Sequence, residues 1–208
     1  MGYYFITDSI ISGIPAVKQV EKIIEARIGV RFIQYREKNK IVHSMLRELR
    51  EIKSILPKET KLIVNDRMDL ALGCADGVHL GEIDLPIEEA IKIKERMGLD
   101  DFIIGASATS IDSITRLNEY PVDYVGFGPI FSTSTKTDAS APLGTEGLKE
   151  AIKVSKHPIV AIGGINKENL VSVLALNVDG IAAISLVLKE NGMDLSEAKR
   201  IQKHYGLI

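Results

Sequence analysis

The sequence DYVGFGPIFSTSTK, residues 123–136, combines a buried strand with a polar, cationic loop. Its apolar run Tyr124–Phe127 ends at Gly128-Pro129, because proline has no N–H for a strand ladder. Four hydroxyl side chains and Lys136 follow. Hydroxyls, loop N–H groups and an ammonium group all bind phosphate oxygens. The pattern predicts an anion site after this strand, although an ordinary polar surface loop has a similar composition.

Similar apolar runs recur along the chain, and a helical pattern or a turn follows each one. Strands without polar alternation are buried on both faces, which is typical of parallel sheets. Eight such units predict an α/β fold, a (β/α)8 TIM barrel in one domain over residues 1–208. An open doubly wound sheet is the alternative, but no glycine-rich fingerprint follows the first strand. The predicted strands are Tyr3–Thr7, Val30–Tyr35, Lys61–Val64, Gly77–Leu80, Phe102–Ala106, Tyr124–Phe127, Pro158–Ile162 and Gly180–Ser185.

Three aspartates occupy the same place in the repeated unit, where the chain enters a strand from a helix. They are Asp76, Asp123 and Asp179. In a barrel, this end of the strands is associated with stability, and the opposite end carries the catalytic residues. We therefore expect these three aspartates to be structural.

The composition excludes several classes of protein. The chain has 208 residues, of which 45% are hydrophobic and 26% charged, and its net charge is −2. It shows no basic excess for nucleic acid or an anionic membrane. Cys74 is the only cysteine, and no run approaches the ~20 apolar residues of a membrane span. We expect a cytoplasmic protein that acts on small molecules, without disulfides, as a monomer or a homo-oligomer.

Polar side chains follow the predicted strands at the edge where barrels carry their chemistry. Gln34, Arg36 and Lys38 follow the second strand, and alternation sends all three to the same side. Asp66 and Asp84 follow the next two strands. Mg²⁺ is commonly held by one or two carboxylates together with substrate phosphate oxygens. The pattern indicates a diphosphate site with a metal, although either aspartate alone has the common alternative of capping the next helix.

A second anion site is predicted on the same rim. Gly163-Gly164 and Ser185 come after the seventh and eighth runs, where barrels often hold a phosphate on main-chain N–H groups. Thr133 and Thr135 would add hydroxyl donors. Such a set suits a monophosphate, and a tight turn is the alternative interpretation of the glycine pair.

The chain resembles the thiamine phosphate synthase family, also called thiamine-phosphate pyrophosphorylase, over nearly its full length. Members of that family are (β/α)8 barrels. They join 4-amino-5-hydroxymethyl-2-methylpyrimidine diphosphate to 4-methyl-5-(2-hydroxyethyl)thiazole phosphate, giving thiamine phosphate and pyrophosphate. The matching segments are YFITD (4–8), IQYREK (33–38), LIVNDRMDLAL (62–72), ADGVHLGEIDLP (75–86), residues 123–136, AIGGI (161–165) and DGIAAIS (179–185).

The resemblance implies roles for the rim residues. The expected ligands of Mg²⁺ are Asp66 and Asp84. The expected pyrimidine diphosphate ligands are Gln34, Arg36, Lys38, Asn65 and Lys136, with Ser107 at the pyrimidine end. The expected thiazole phosphate ligands are Thr133, Thr135, Gly164, Ile184 and Ser185. The residues expected to act directly in the chemistry are Arg36, Lys38, Ser107 and Lys136. The implied mechanism is dissociative: diphosphate leaves first, and the thiazole nitrogen attacks the resulting methylene cation.

The sequence departs from the family pattern at three positions. Glu82 stands where the family usually has Gln, Thr109 where it usually has His, and Ser134 where it usually has Pro. Glu82 adds negative charge near the expected metal. None of the principal ligands implied by the resemblance is missing.

Two other functions remain as alternatives. The related thiazole tautomerase usually has a catalytic His directly after the glycine that Gly128 matches, and Pro129 stands there instead, as in the synthase. A non-catalytic barrel that binds thiamine precursors is the other alternative, against which the intact carboxylates and cations argue. We also expect the long segment Ser132–Gly144 to be a lid that ligands order.

Overall fold

A computed structural model describes residues 1–133, 135 and 141–208 of the chain. Its eight main strands are parallel, and each pairs with the next one along the chain. The eighth also pairs with the first, so the sheet closes into a barrel. The predicted (β/α)8 fold is confirmed, and the open-sheet alternative is wrong. The barrel strands are β1 Gly2–Ile6, β2 Phe32–Tyr35, β3 Lys61–Asn65, β4 Gly77–Leu80, β5 Ile103–Ala108, β6 Tyr124–Phe127, β7 Ile159–Ile162 and β8 Gly180–Ala182.

Helices surround the barrel. They are α1 Ser9–Ser12, α2 Ala16–Glu25, α3 Val42–Ile55, α4 Met68–Cys74, α5 Ile87–Arg96, α6 Ile111–Leu117, α7 Gly144–Val154, α8 Leu170–Leu174, α9 Ile184–Val187 and α10 Ser196–His204. In α3, Met45, Leu49 and Ile52 are buried, and their spacing places them on one face of the helix, which belongs to the apolar core. Within the described ranges, no helix is long and apolar enough to cross a lipid bilayer.

The apolar side chains form two cores, one on each side of the strands. Tyr3 and Phe5 of β1 belong to the larger outer core, between strands and helices. Successive strand residues point to opposite sides, so their neighbours in the sequence belong to the core inside the barrel. The buried residues of that inner core are Tyr4, Ile6, Tyr124, Val160 and Ala182.

The last barrel strand is shorter than predicted. It ends at Ala182, whose partners Tyr4 and Ile162 are the last residues of the two ladders. β7 also ends at Ile162, so the ladder on that side stops at Ala182, and the chain leaves the sheet and turns into α9. Ile184 and Ser185 therefore lie in a helix, and the strand predicted through Ser185 is wrong. A short antiparallel hairpin that follows α9, β9 Leu188–Lys189 with β10 Gly192–Met193, was also not predicted.

The three repeated aspartates make the same contact at the amino end of the barrel. Each carboxylate accepts a hydrogen bond of 2.8 Å from a main-chain N–H at the start of the preceding strand. The pairs are Asp76 with Leu62, Asp123 with Ile104, and Asp179 with Ile159. Each aspartate thus ties the entrance of its own strand to the entrance of the strand beside it. The predicted structural role is confirmed.

Candidate active site

A cavity of about 370 Å³ opens at the carboxyl ends of the barrel strands, and residues from all eight strands line it. Its lining includes nearly all the residues that the sequence placed on the rim. They are Gln34, Arg36, Lys38, Asn65, Asp66, Asp84, Ser107, Thr133, Thr135, Gly164, Ile184 and Ser185. Lys136 and most of the centre of the segment expected to be a lid lie outside the described residues. The structure thus brings the two predicted anion sites to one cavity.

From Gln34 onward, every second residue at the end of β2 and in the loop after it lines the cavity. Gln34, Arg36 and Lys38 line it. Tyr35 and Glu37 between them instead bond elsewhere: the Tyr35 hydroxyl donates to the Glu48 carboxylate, and Glu37 accepts from Ser9. This is the arrangement that alternation predicts, although β2 itself ends at Tyr35.

The carboxyl groups of Asp66 and Asp84 lie next to each other at the wall of the cavity. Burial and the adjacent Asp84 carboxyl raise the pKa of Asp66 to about 6, while Lys38 and Arg36 act in the opposite direction. The two adjacent carboxyl groups thus lack the positive charge that would favour ionisation of both. A divalent cation would supply that charge, so the donor set fits Mg²⁺.

The helix-capping alternative for the two aspartates is wrong. The N-cap positions of α4 and α5 are Arg67 and Pro86, and neither helix has a side-chain cap. Asp84 instead accepts a hydrogen bond of 2.7 Å from the main-chain N–H of Gly81, within its own loop. Asp66 has φ of 63°, a left-handed conformation that costs free energy in a residue other than glycine. The positions of the two carboxylates thus depend on the left-handed conformation of Asp66 and on the loop hydrogen bond of Asp84.

Arg36 is held at the cavity by Asp8. The guanidinium pairs with the Asp8 carboxylate, and the two side chains are only 12% and 7% exposed. Asp8 is itself fixed because it caps α1, accepting hydrogen bonds from the N–H groups of Ile10 and Ile11. Sequence analysis missed this positioning contact, although the predicted barrel places the carboxyl ends of β1 and β2 side by side.

The opposite wall of the cavity is made of main chain. Gly163 and Gly164 have φ of 95° and 64°, a region that favours glycine. A Cβ on Gly164 would lie 2.4 Å from the carbonyl oxygen of Ser132, so a side chain does not fit there. The loop after β7 therefore packs directly against the loop after β6, which carries Thr133 and Thr135. The result is a surface of main-chain and hydroxyl groups.

A buried polar cluster forms the floor of the cavity. The Tyr4 and Tyr124 hydroxyls lie 2.7 Å apart, and Gln34 Nε2 lies 3.2 Å from the Tyr4 hydroxyl. The two ring nitrogens of His79 lie 3.1 Å from the Tyr124 hydroxyl and 3.0 Å from Ser107 Oγ. Sequence analysis missed the two tyrosines because they belong to apolar runs. Their positions on the inward-facing side of β1 and β6 were the available signal.

Glu82 and Thr109, which both depart from the family pattern, contact each other at the cavity mouth. Thr109 donates from its hydroxyl to the two oxygens of Glu82, at 3.0 and 3.2 Å, and from its main-chain N–H at 3.3 Å. The pair bridges the loops after β4 and β5. The two departures are thus one structural feature.

Comparison with known proteins shows which family the chain resembles. The family described as thiamine monophosphate synthase matches residues 3–187. A thiamine-phosphate synthase of Methanosarcina barkeri is 41% identical over 204 residues, covering 98% of this chain and 88% of the relative. That of Clostridium novyi is 44% identical over 191 residues, covering 90% and 91%.

Solved structures agree with these relatives. Thiamine phosphate pyrophosphorylase from Pyrococcus furiosus superposes with a TM-score of 0.83 at 35% identity, covering 99% of this chain and 96% of that one. Phosphoribosyl anthranilate isomerase from Thermotoga maritima, at 16% identity and a TM-score of 0.67, shares only the barrel fold. The family match and the similarity over almost the whole length agree with each other, and the chain belongs to the thiamine monophosphate synthase family.

Proposed function

We propose that the chain, acting as one domain over residues 1–208, joins 4-amino-5-hydroxymethyl-2-methylpyrimidine diphosphate to 4-methyl-5-(2-hydroxyethyl)thiazole phosphate. The products are thiamine phosphate and pyrophosphate. The observation that carries the proposal is one cavity whose two walls differ in chemistry. One wall combines cations with a carboxylate pair, and the other consists of main chain and hydroxyls.

The cationic wall would bind the diphosphate. Arg36 and Lys38 neutralise the charge on the diphosphate oxygens, and Asn65 adds an amide donor beside them. Lys136, which lies outside the described residues, is proposed as a further cation on the same group. A leaving diphosphate develops charge as its bond breaks, so preorganised cations stabilise the transition state more than the bound substrate.

Asp66 and Asp84 would hold Mg²⁺ together with oxygens of the substrate. The described residues contain no group of three or more His, Cys, Asp or Glu side chains placed to hold a metal, so these residues would contribute two carboxylates. Mg²⁺ typically binds one or two carboxylates, water and substrate phosphate. When bound, it would supply positive charge to the departing diphosphate.

The other wall would bind the thiazole phosphate. Main-chain N–H groups beside Gly164 and the start of α9, with the hydroxyls of Thr133, Thr135 and Ser185, offer neutral donors to a monophosphate. The apolar side chains of Val160 and Ile162 also line the cavity. They would exclude water from a reactive cation.

The proposed reaction is a substitution in two steps. The bond between the pyrimidine methylene carbon and the diphosphate oxygen breaks, and its electron pair leaves with the diphosphate. The lone pair of the thiazole nitrogen then forms the new carbon–nitrogen bond. The cavity offers positioning and charge neutralisation for these steps, and neither step needs a strong base.

Product formation from both purified precursors with Mg²⁺ tests the proposal. Lys38→Ala should lower kcat/KM for the pyrimidine substrate by about tenfold or more, because it removes a cation from the diphosphate. Lys40→Ala is the matched control, since Lys40 pairs with Glu48 away from the cavity, and it should stay within about twofold. Binding of both precursors without thiamine phosphate formation would favour a binding protein. Aromatisation of a thiazole carboxylate phosphate without that product would favour the tautomerase.

A further inference from the structure

Five polar side chains on the floor of the cavity form one continuous series of hydrogen bonds across the barrel. The order is Gln34, Tyr4, Tyr124, His79 and Ser107, with contacts of 3.2, 2.7, 3.1 and 3.0 Å. These side chains come from β2, β1, β6, β4 and β5. All five side chains line the cavity, and Gln34 and Ser107 are the two ends of the series. We call this set the floor chain.

The middle of the floor chain is rigidly packed. The rings of Tyr4 and Tyr124 are almost completely buried, and the rings of His79 and Tyr124 stack with centroids 5.5 Å apart. A Cβ on Gly105 would lie 2.1 Å from the Tyr124 ring, so β5 leaves space for this ring only because it carries glycine there. Burial raises the pKa of both phenols, so each hydroxyl keeps its proton.

Each hydroxyl has a single proton, which links the direction of one hydrogen bond to that of the next. When the Tyr124 hydroxyl donates to His79 Nδ1, the ring proton of a neutral imidazole is on Nε2 and points to Ser107. The Ser107 proton is then available to the cavity. At the other end, Tyr4 donates to Tyr124 and accepts from the Gln34 amide nitrogen, which leaves the Gln34 carbonyl for a ligand.

The reverse direction is also complete. Ser107 then donates to His79 Nε2, His79 Nδ1 donates to Tyr124, and Tyr124 donates to Tyr4. The Gln34 amide, whose Nε2 faces the Tyr4 hydroxyl in the structure, turns over by 180° so that Tyr4 donates to its carbonyl oxygen. Gln34 now presents its amide N–H groups to the cavity, and Ser107 presents an acceptor. An arrangement in which the hydrogen bonds point in different directions along the series leaves a buried O–H without an acceptor or brings two donors together. Either defect raises the free energy of a buried network.

We propose that the floor chain acts as one unit whose two ends always show opposite hydrogen-bonding character to the cavity. Tyr4, Tyr124 and His79 are then positioning residues that couple Gln34 to Ser107. The unit fits a ligand that offers one donor and one acceptor, as the amino group and ring nitrogen of an aminopyrimidine do. That choice of ligand rests on the proposed function, whereas the coupling rests on the geometry alone.

The coupling is tested on the free protein by ¹⁵N NMR of histidine, which distinguishes the two neutral tautomers. At about pH 8.5, the carboxylate of Gln34→Glu offers only acceptors, so the proton of His79 should move to Nδ1. Gln34→Met offers neither donor nor acceptor, so Tyr4 donates to Tyr124 and the proton should move to Nε2. The tautomer ratios of the two variants should differ by on the order of tenfold or more. The His79 signals are assigned by their loss in His79→Asn.

A second substitution in each residue-34 variant shows whether the effect on the His79 tautomer passes through the floor chain. Adding Tyr124→Phe should make the His79 tautomer independent of residue 34, because it removes the linking hydroxyl. Tyr35→Phe is the control, since its hydroxyl bonds to Glu48 outside the cavity, and it should preserve the difference. Equal tautomer ratios in Gln34→Glu and Gln34→Met, or a difference that survives Tyr124→Phe, would overturn the coupling.

The choice of ligand is tested by comparing the binding of the pyrimidine diphosphate with that of an analogue carrying hydrogen in place of the amino group. The unchanged protein should prefer the amino compound by about tenfold or more, and Tyr124→Phe should reduce this preference by about threefold or more. An unchanged preference in Tyr124→Phe would overturn the specificity role. Tautomer coupling without any thiamine phosphate formation would instead refute the proposed function and leave the coupling standing.

Discussion

Aspartates at the two ends of the barrel strands have opposite surroundings. At the amino ends, Asp76, Asp123 and Asp179 each accept a main-chain N–H from a neighbouring strand. At the carboxyl ends, Asp66 and Asp84 face each other, and burial and the second carboxyl raise the pKa of Asp66 to about 6. The three aspartates at the amino ends accept hydrogen bonds from main-chain N–H groups of the sheet, whereas the two at the carboxyl ends bring acidic groups together in the cavity wall.

The difference shows how one residue type serves stability at one end of a strand and chemistry at the other. A carboxylate that completes a hydrogen bond lowers the free energy of the folded state. Two adjacent carboxyl groups raise the free energy of the folded state, and the left-handed backbone of Asp66 raises it further. Such an arrangement is retained where a ligand compensates, which supports the proposal of a metal at the carboxyl ends.

The largest effect is expected from removing one charge of the Asp66 and Asp84 pair. Asp66→Asn and Asp84→Asn should each lower turnover by roughly 10²-fold or more, equivalent to about 3 kcal/mol of transition-state stabilisation. The melting temperature should stay unchanged or rise, because repulsion between the carboxyls is removed. Steady-state kinetics and calorimetry measure both. Asp69→Asn is the control, since Asp69 pairs with Arg67 outside the cavity. Near-normal turnover at low Mg²⁺ would contradict the metal role.

The pKa of Asp66 should appear in the pH dependence of Mg²⁺ binding. Mg²⁺ competes with a proton whose pKa is about 6, so its apparent affinity should fall by up to about tenfold per pH unit below that value. Titration calorimetry at several pH values measures this slope. In Asp66→Asn the slope should flatten and the overall affinity should be lower. A constant affinity across this range would show that the pair does not bind the ion.

The same pKa predicts the direction of a stability change in the metal-free protein. The folded state holds the Asp66 proton more tightly than the unfolded chain, in which aspartate titrates near pH 4. Unfolding therefore releases protons between about pH 4 and 6, and this group's contribution to the free energy of unfolding falls as pH rises through that window. Urea unfolding of wild type and Asp66→Asn across the window isolates the contribution, which should be absent in the variant.

At the amino ends, the expected effect is on stability alone. Asp76→Ala leaves the N–H of Leu62 without its carboxylate acceptor and also removes the ion pair with Lys53. It should lower the free energy of unfolding by about 1–2 kcal/mol, while turnover at permissive temperature stays within about twofold. Asp76→Asn should lower the free energy of unfolding less, because its amide oxygen still accepts the hydrogen bond from the Leu62 N–H. Urea unfolding measures the change, with exposed Asp101→Ala as the control. A larger loss of turnover than of stability would contradict the separation of roles.

The smallest effect is expected for Glu82, an exposed carboxylate at the cavity mouth. Glu82→Gln keeps an acceptor for Thr109 but removes a charge that repels the diphosphate. KM for the pyrimidine diphosphate should fall by about two- to threefold at low ionic strength, and the difference should vanish in about 0.5 M salt because exposed charges are screened. A loss of turnover of tenfold or more would instead place Glu82 among the functional carboxylates.

Local sequence patterns were sufficient for most of the fold. Apolar runs locate all eight barrel strands, since a strand buried on both faces must be apolar along its length. The end of β8 was wrong because it depends on where the ladders of β1 and β7 stop, which is set by partners distant in sequence. The helix-capping alternative for Asp66 and Asp84 was wrong because the main-chain conformation and the loop contact of Asp84 decide it.

Residue order and alternation determined which side chains reach the rim, such as Gln34, Arg36 and Lys38, because the side-chain period of a strand is local. Only the closed barrel decided what these side chains meet. Asp8 beside Arg36, and His79 between Tyr124 and Ser107, are contacts between residues 28 to 45 positions apart. Their chemistry depends on burial and distance, which exist only after the strands close around a shared interior.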